Sequence, residues 1–567
     1  MNLENILEVN GLTVAFGQQV VVDNISYALR RGTTMGIVGE SGSGKSVSSM
    51  ALMGLLPVQA TVGGQALLGG GTAGAAPTDL LRLGEKELSH LRGKRLAMVF
   101  QEPMTSLNPY HRCGQQVVEM LRRHENIPPK EAQSRVLDMF HEVLLPRPEK
   151  IFRSYPHELS GGQKQRVMIA MALICHPDIV IADEPTTALD VTVQRTILDL
   201  LKSLQQRYGI SIIFISHDLG VVGQIADEVM VMYRGKVVEQ GSTDQVLHFP
   251  QHPYTQGLLA CRPPLDSRPR RLPTVEEYMD TSFEKPFEEP TVAVPTDSEA
   301  PSQRVLMRVE NLGVDYALRK NLLGKPTQLL KAVDGLTFDI YEGETLGLVG
   351  ESGCGKSTLG RALLHLIAHS SGSITYLGQP LDQMSSHQLR DLRTQLQIVF
   401  QDPYSSLNPR IPIGEAILEP LLVHRRRMDS GKKNSLRQQA LDLMQQVGLQ
   451  TDWYHRYPHE LSGGQRQRVC IARALIVHPR LVVCDESVSA LDVSVQAQVL
   501  NLLNELKERY RYTYLFITHD LSVVHYMADR ILVMQQGRIV ESGTADQLFA
   551  HPQTAYTQTL LDAIPRL

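Results

Sequence analysis

The sequence lacks the marks of an exported or membrane-spanning chain. Its first residues, MNLENILEVN, place acids where a signal peptide has a basic stretch and an apolar run. The six cysteines (Cys113, Cys175, Cys261, Cys354, Cys470, Cys484) are scattered, with no CxxC pair. That pattern excludes a disulfide framework, offers no zinc spacing and fits a reducing cytoplasm. There is no excess of positive charge. The formal net charge of −4 gives no support to a nucleic-acid or strongly membrane-electrostatic role. One stretch without any charged residue, Ser46–Thr78, is long enough to span a bilayer. It also holds Pro57, Pro77 and the glycines 63, 64, 69, 70, 71 and 74, which would break a helix and expose its backbone to lipid. A helix followed by a loose Gly-rich loop is expected there.

What the chain does have is a long internal repeat. Gly39–Ser46 reads GESGSGKS and Gly350–Ser357 reads GESGCGKS. Leu159–Gln163 and Leu461–Gln465 both read LSGGQ. Asp183–Glu184 is answered by Asp485–Glu486 and His217 by His519, and from LSGGQ onward the offset is a constant 302 residues. A period of this size is a duplicated domain rather than a solenoid unit. The 567 residues, 42% hydrophobic and 20% charged, suffice for two globular cores. Residues 1–261 and 305–567 are the expected domains. Between them, 262–304 holds eight prolines, and Glu276–Glu299 holds eight acids against one base, Lys285. Such sequence reads as an extended linker.

Within each half, short apolar runs alternate with helical stretches: Thr34–Val38, Ala97–Phe100, Ile179–Ala182 and Ile212–Ile215, then Thr345–Val349, Gln397–Phe400, Leu481–Cys484 and Tyr514–Ile517. Continuous apolar strands separated by helices predict an α/β fold with a mainly parallel sheet covered on both faces. The first half is longer between its phosphate loop and Gln101, by an amount the Gly-rich loop can supply.

The glycine loop follows a strand and opens a helix in both copies, the context a phosphate-binding loop needs. Glycines let backbone N–H groups close around phosphates, and the helix N-terminus adds a favourable field. Lys45 and Lys356 are expected to reach the β- and γ-phosphates, and Ser46 and Ser357 to ligate Mg²⁺. Asp183 and Asp485 end apolar strands, where a carboxylate can hold Mg²⁺ directly or through water. Glu184 and Glu486 follow at once and can polarise an attacking water. His217 and His519 end another strand and are candidate γ-phosphate partners.

On these residues the chain resembles the ATPase subunits of ABC transporters across nearly all of both halves. The resemblance implies two tandem P-loop nucleotide-binding domains, each with an antiparallel β subdomain and a helical subdomain. It implies ATP and Mg²⁺ as ligands. The nucleotide would be held by Gly39, Glu40, Ser41, Gly42, Ser43, Gly44, Lys45, Ser46 and Val47 in the first half, and by Gly350, Glu351, Ser352, Gly353, Cys354, Gly355, Lys356, Ser357 and Thr358 in the second. Signature residues Ser160, Gly161, Gly162 and Gln163 would face the nucleotide on Lys356, and Ser462, Gly463, Gly464 and Gln465 the one on Lys45. Gln101 and Gln401 match the Q-loop, with a share in the metal site, and Asp190 and Asp492 the D-loop at the domain interface. Phe16 and Tyr316 stand where an aromatic stacks on adenine. Ser487 replaces Pro185 after the second glutamate, but Glu486 is kept, so both sites are expected to hydrolyse ATP.

EPMTSLNP and DPYSSLNP after the Q-loop glutamines, with HPYTQGLL and AYTQTLL closing the halves, resemble the oligopeptide, dipeptide and nickel importer ATPases. That resemblance implies a peripheral protein on the cytoplasmic face of the inner membrane, paired head to tail within one chain. Its partners would be two integral-membrane permeases and an extracytoplasmic solute-binding protein, with no nucleic acid. Some of that group carry an iron–sulfur centre on a cysteine cluster. Only Cys261 stands in the corresponding region, so no cluster is expected. Peptides are the first expectation for the solute, with nickel, glutathione and an opine-like solute open. Ribosome-associated twin ATPases are the rival class, but their linker is basic and helical. Cys354 is read as a small tolerated side chain, Cys470 and Cys484 as packing residues, and the basic run Arg425–Lys433 as a solvated face.

Overall fold

A computed structural model of the chain describes residues 4–69, 76–101, 106–187, 189–280, 304–320, 326–424, 433–489 and 491–565. The tip of the Gly-rich loop (70–75), the acidic part of the interdomain segment (281–303) and most of the basic run (425–432) lie outside them.

Each half is built on one six-stranded sheet. In the first half the strand order is Lys236–Ser242, Glu228–Tyr233, Thr34–Val38, Ser211–Ser216, Ile179–Asp183, Leu96–Val99, and the second half repeats it with Arg538–Thr544 through Leu396–Val399. Five strands are parallel and the outermost hairpin is antiparallel. The central strands are buried along their whole length, which is why they read as unbroken apolar runs. A second, four-stranded antiparallel sheet packs beside each phosphate-loop helix: Gln19–Arg30, Asn5–Phe16, Ala60–Leu68 and Thr78–Asp79 in the first half, Pro326–Tyr341, Val305–Lys320, Ser371–Tyr376 and Gln379–Pro380 in the second. A helical layer (Cys113–His124, Pro129–Glu142, and the signature helix Gly161–Leu173) completes the first half, and Ile413–Val423, Lys433–Gln446 and Gly463–Leu475 the second.

Two expectations are corrected. The stretch after the first phosphate-loop helix is not all loop, because Ala60–Leu68 is a strand running through Gly63 and Gly64. Gly64 sits at a register shift with φ of 98°, where an added Cβ would meet the Gly11 carbonyl oxygen at 2.4 Å, so the glycine permits the pairing rather than breaking it. The interdomain segment does not begin as free linker either. Residues 262–280 lie as a strap between the halves, its closing helix packed on Pro253–Ala260 of the first half and its middle bonded to the second. Leu272 is fully buried, and its N–H and carbonyl bond to the Asn501 side-chain amide at 2.9 and 2.8 Å, as a β-neighbour would. Arg268 donates to the Ala528 carbonyl at 2.7 Å, and Gln498 to Glu276 at 2.8 Å. A short helix, Val275–Met279, follows, with Val275 buried. Burying one leucine is worth about 1.5–3 kcal/mol.

Candidate functional site

The two phosphate loops turn on glycines that no other residue replaces at small cost. Gly44 and Gly355 precede their helices at φ of 99° and 109°, and a Cβ there would lie 2.9 Å from the Val21 and 2.1 Å from the Ala332 carbonyl oxygen. Lys45 Nζ is buried in its own loop, donating to the carbonyls of Gly39 (2.6 Å) and Glu40 (3.0 Å); Lys356 does the same with Gly350 (2.6 Å) and Glu351 (2.9 Å). Burial lowers the Lys45 ammonium even though Glu184, Asp492, Asp183 and Glu40 pull it upward.

Strand-end carboxylates meet these loops. Ser46 Oγ donates to Asp183 Oδ1 at 2.8 Å, and Ser357 Oγ to Asp485 Oδ1 at 2.8 Å. Burial pushes the Asp183 carboxyl up to about 6 and raises Asp485 as well, with each serine hydroxyl opposing it. Glu184 and Glu486 adopt left-handed backbone, φ of 45° and 47°, held by N–H bonds to the Ile215 and Ile517 carbonyls at 3.0 and 2.9 Å. A non-glycine residue there costs of order 1 kcal/mol, strain that aims the carboxylate away from its strand. Glu184 Oε2 accepts from Gln101 (3.1 Å) and Thr187 (2.8 Å) and lies 3.3 Å from His217 Nδ1. Burial alone would raise this carboxyl, but His217, Thr187 and Lys45 together hold it at about 2. Burial would likewise lower the His217 imidazole, yet Glu184 raises it. Glu486 Oε2 accepts from Gln401 at 2.8 Å and lies 3.5 Å from His519 Nδ1; it too is held below the usual range against its burial.

The halves touch through these loops in a reciprocal way. Ser41 donates its N–H (3.0 Å) and hydroxyl (3.2 Å) to Asp492, and Ser352 donates its N–H to Asp190 at 3.3 Å. Thr192 donates to Glu351 at 2.9 Å, and Ser494 bonds to Glu40, whose carboxyl burial nonetheless raises. Each phosphate loop therefore meets the D-loop aspartate of the other half. The signature residues cap helices. Ser160 and Ser462 accept from the N–H of Gln163 and Gln465 at 3.4 Å, and each glutamine oxygen returns to the serine N–H, at 3.1 and 3.0 Å. Gly162 and Gly464 allow the signature helix to sit on Val193 and Val495, whose Cγ1 atoms would be 2.7 and 2.2 Å from an added Cβ. Among the described residues, the hydrogen bonds that the phosphate loops make across this interface run to the aspartates and their neighbours, not to the signature; Arg195 also donates to the Asp562 carbonyl across the halves. Phe16 ends its strand partly buried, while Tyr316 is 41% exposed at the equivalent place.

Sequence reasoning missed two tyrosines. The Glu40 N–H donates to Tyr254 Oη at 3.1 Å and the Glu351 N–H to Tyr556 Oη at 3.2 Å, so the tyrosines of HPYTQ and AYTQ anchor both phosphate loops. Their repeated occurrence was visible; the partner, 214 residues away in the first half, was not. The strap also reaches the first loop: Val275, Glu276 and Met279 line a cleft of about 510 Å³ with Ser41, Gly42 and Tyr254. Cys354, Cys470 and Cys484 are buried, and Cys354 Sγ lies 4.0 Å from Lys356 Nζ.

A family model described as ABC transporter matches residues 22–187 and 333–489, once on each phosphate loop and acid pair. The chain belongs to the ABC transporter family. A second model, the oligopeptide/dipeptide transporter C-terminal region, matches 238–286 and 540–567, the segments that carry Tyr254 and Tyr556. Glutathione import ATP-binding proteins of Shigella boydii serotype 4 and of Escherichia coli K12 are 46% identical to this ABC protein over 573 residues, 99% of this chain and 90% of theirs. A solved structure of cbiO1 from Clostridium perfringens, part of an ABC transporter complex, is 27% identical over 44% of this chain and 92% of its own, with a TM-score of 0.38. This ABC protein is an ATP-hydrolysing motor of an importer of the oligopeptide/dipeptide type. Among the described residues no helix is long and apolar enough to cross a membrane.

Proposed function

We propose that this chain, as two units (1–261 and 305–567) joined through 262–304, closes head to tail on two ATP molecules and drives import of a glutathione-like peptide. It would do so through two separate permeases fed by an extracytoplasmic binding protein, while seated on the cytoplasmic face of the membrane. The reciprocal bonds Ser41–Asp492 and Ser352–Asp190 carry the composite-site reading, because each phosphate loop donates to an aspartate of the other half. Similarity to glutathione import proteins over almost the whole chain supports the solute class.

In each site Lys45 or Lys356 would leave its loop carbonyls for the phosphate oxygens. Ser46 with Asp183, and Ser357 with Asp485, are hard oxygen donors already at one point, the donor type a divalent cation such as Mg²⁺ takes. Mg²⁺ held there would neutralise phosphate charge. Glu184 and Glu486, kept ionised, would accept a hydrogen bond from the attacking water and orient it, with His217 and His519 beside the γ-phosphate. The signature helix N-termini would face the opposite nucleotide, and Phe16 and Tyr316 its adenine. Closure on ATP and reopening after hydrolysis would do the work, through the difference in ATP affinity between open and closed states. The Gln101 and Gln401 loops would pass the motion to the permeases.

Co-expression with the permease genes tests this reading. Vesicles holding chain, permeases and binding protein should take up glutathione with ATP. Uptake of a dipeptide but not glutathione would overturn the solute assignment, and purification of the chain with ribosomes instead of permeases would overturn the class.

A further inference from the structure

The helix that follows the second phosphate loop, Lys356–Leu363, ends at Leu364 and His365. His369 lies four residues on, and the 3₁₀ turn Leu381–Gln383 brings Asp382 to the same place. One ligand-capable atom from each of the three side chains lies within 4.8 Å of the others. His369 Nε2 is 3.2 Å from Asp382 Oδ2, and the two imidazoles stand edge to face with centroids 6.4 Å apart. Nδ1 of both histidines is buried without a hydrogen-bond partner, and Asp382 is the acceptor facing His369 Nε2, so a cation seated there would replace the proton that this pair shares. The His369 side chain is 10% exposed and Asp382 40%, which leaves an entry from solvent on the carboxylate side.

The first half treats the same helix end differently. Gly54 stands at the position of His365, and Leu81, in the equivalent 3₁₀ turn, at that of Asp382. There the guanidinium of Arg92 caps the helix, with Nε 2.7 Å from the Met53 carbonyl and Nη2 2.9 Å from that of Gly54. A helix C-terminus favours positive charge. Among the described residues of the second half, no side-chain cation donates to the carbonyls of Leu364 or His365. Two imidazoles and a carboxylate stand there instead.

We propose that His365, His369 and Asp382 form a binding site for a divalent transition-metal cation of the zinc type, separate from both nucleotide sites. Two nitrogen donors and one oxygen donor suit Zn²⁺ or Co²⁺ better than Mg²⁺, with the remaining positions open to water. The cation would take the charge role that Arg92 fills in the first half. It would tie the phosphate-loop helix, the loop after it and the edge of the antiparallel sheet together.

The test uses the full chain, stripped with chelator and held in saturating Mg²⁺, with Zn²⁺ measured by equilibrium dialysis and Co²⁺ by its visible spectrum. One equivalent should bind with micromolar or better affinity and raise the melting temperature. His365→Ala, His369→Ala and Asp382→Asn should each weaken that site by at least about tenfold. Failure of the wild-type chain to bind Zn²⁺ at micromolar concentration would make His369–Asp382 an ordinary ion pair and overturn the proposal. Undiminished binding in the variants would do the same. Asp382→Asn, at an exposed carboxylate, carries the test if the histidine variants do not fold.

Discussion

The two halves share their candidate catalytic residues but support them differently. Thr187 gives its hydroxyl to the Glu184 carboxylate, whereas its counterpart Ser489 gives its hydroxyl to the backbone carbonyl of Glu486, at 2.9 Å. Asp190 both caps its own helix, accepting from Val193 N–H at 2.9 Å, and reaches Ser352; Asp492 caps nothing and takes two bonds from Ser41. An aspartate released from capping can commit more fully to the neighbouring loop. Duplication thus preserved the loop lysines and serines, the acid pairs and the histidines, while some of the groups behind them diverged.

The largest effect should follow from removing what the halves share. Glu184→Gln with Glu486→Gln should lower ATP turnover by about 10²–10⁴-fold while ATP binding persists, as measured by steady-state hydrolysis and equilibrium binding. Near-wild-type turnover would remove both glutamates from the mechanism.

A stability difference should separate the halves by pH. Glu344, fully buried beside Arg530 at 3.4 Å, corresponds to Thr33 in the first half. Burial pushes its carboxyl up to about 7, ahead of the opposing Tyr341 N–H and Arg530. The folded second half therefore keeps this proton while the unfolded chain loses it near 4.5. Stability is greatest below that value, falls as pH rises to about 7, and is flat above, by up to about 3 kcal/mol. Glu344→Gln should flatten the curve in that window, read by denaturant melts from pH 4.5 to 8. An unchanged slope would show that another group titrates.

The D-loops should differ more subtly. Asp492→Ala should weaken ATP-dependent closure by about 1.5–3 kcal/mol, and Asp190→Ala less, because part of its bonding is local. Equal ATP half-saturation in the two variants would erase the asymmetry drawn from their bonds. Smallest of all, Tyr254→Phe or Tyr556→Phe removes one hydrogen bond to a phosphate loop, worth about 1 kcal/mol. Each should raise the ATP half-saturation roughly fivefold with little change in kcat; a change in kcat alone would mean that the hydroxyl does something other than hold the loop.

The parallel sheets, the phosphate loops and the acid pairs were legible because strand burial and loop chemistry write themselves into contiguous residues. The central strands matched to within a residue or so at their ends. What stayed hidden depends on distant partners. The strap was masked by averaging over 262–304, where prolines outweigh Leu272 and Val275, the two residues that decide its fate. Tyr254 and Tyr556 stood in repeated text, but a hydroxyl's acceptor role has no local signature. His365 and His369 gain meaning only when Asp382 is folded beside them.

The claim that each nucleotide site is shared between halves is tested most directly by counting ATP trapped per chain in the Glu184→Gln, Glu486→Gln background. Adding Lys45→Ala with Ser462→Arg would damage one composite site twice and leave one ATP bound per chain. Adding Lys45→Ala with Ser160→Arg would damage both sites and leave none. The reverse pattern, one ATP with the second pair and none with the first, would mean that each half closes its own site and would contradict the account.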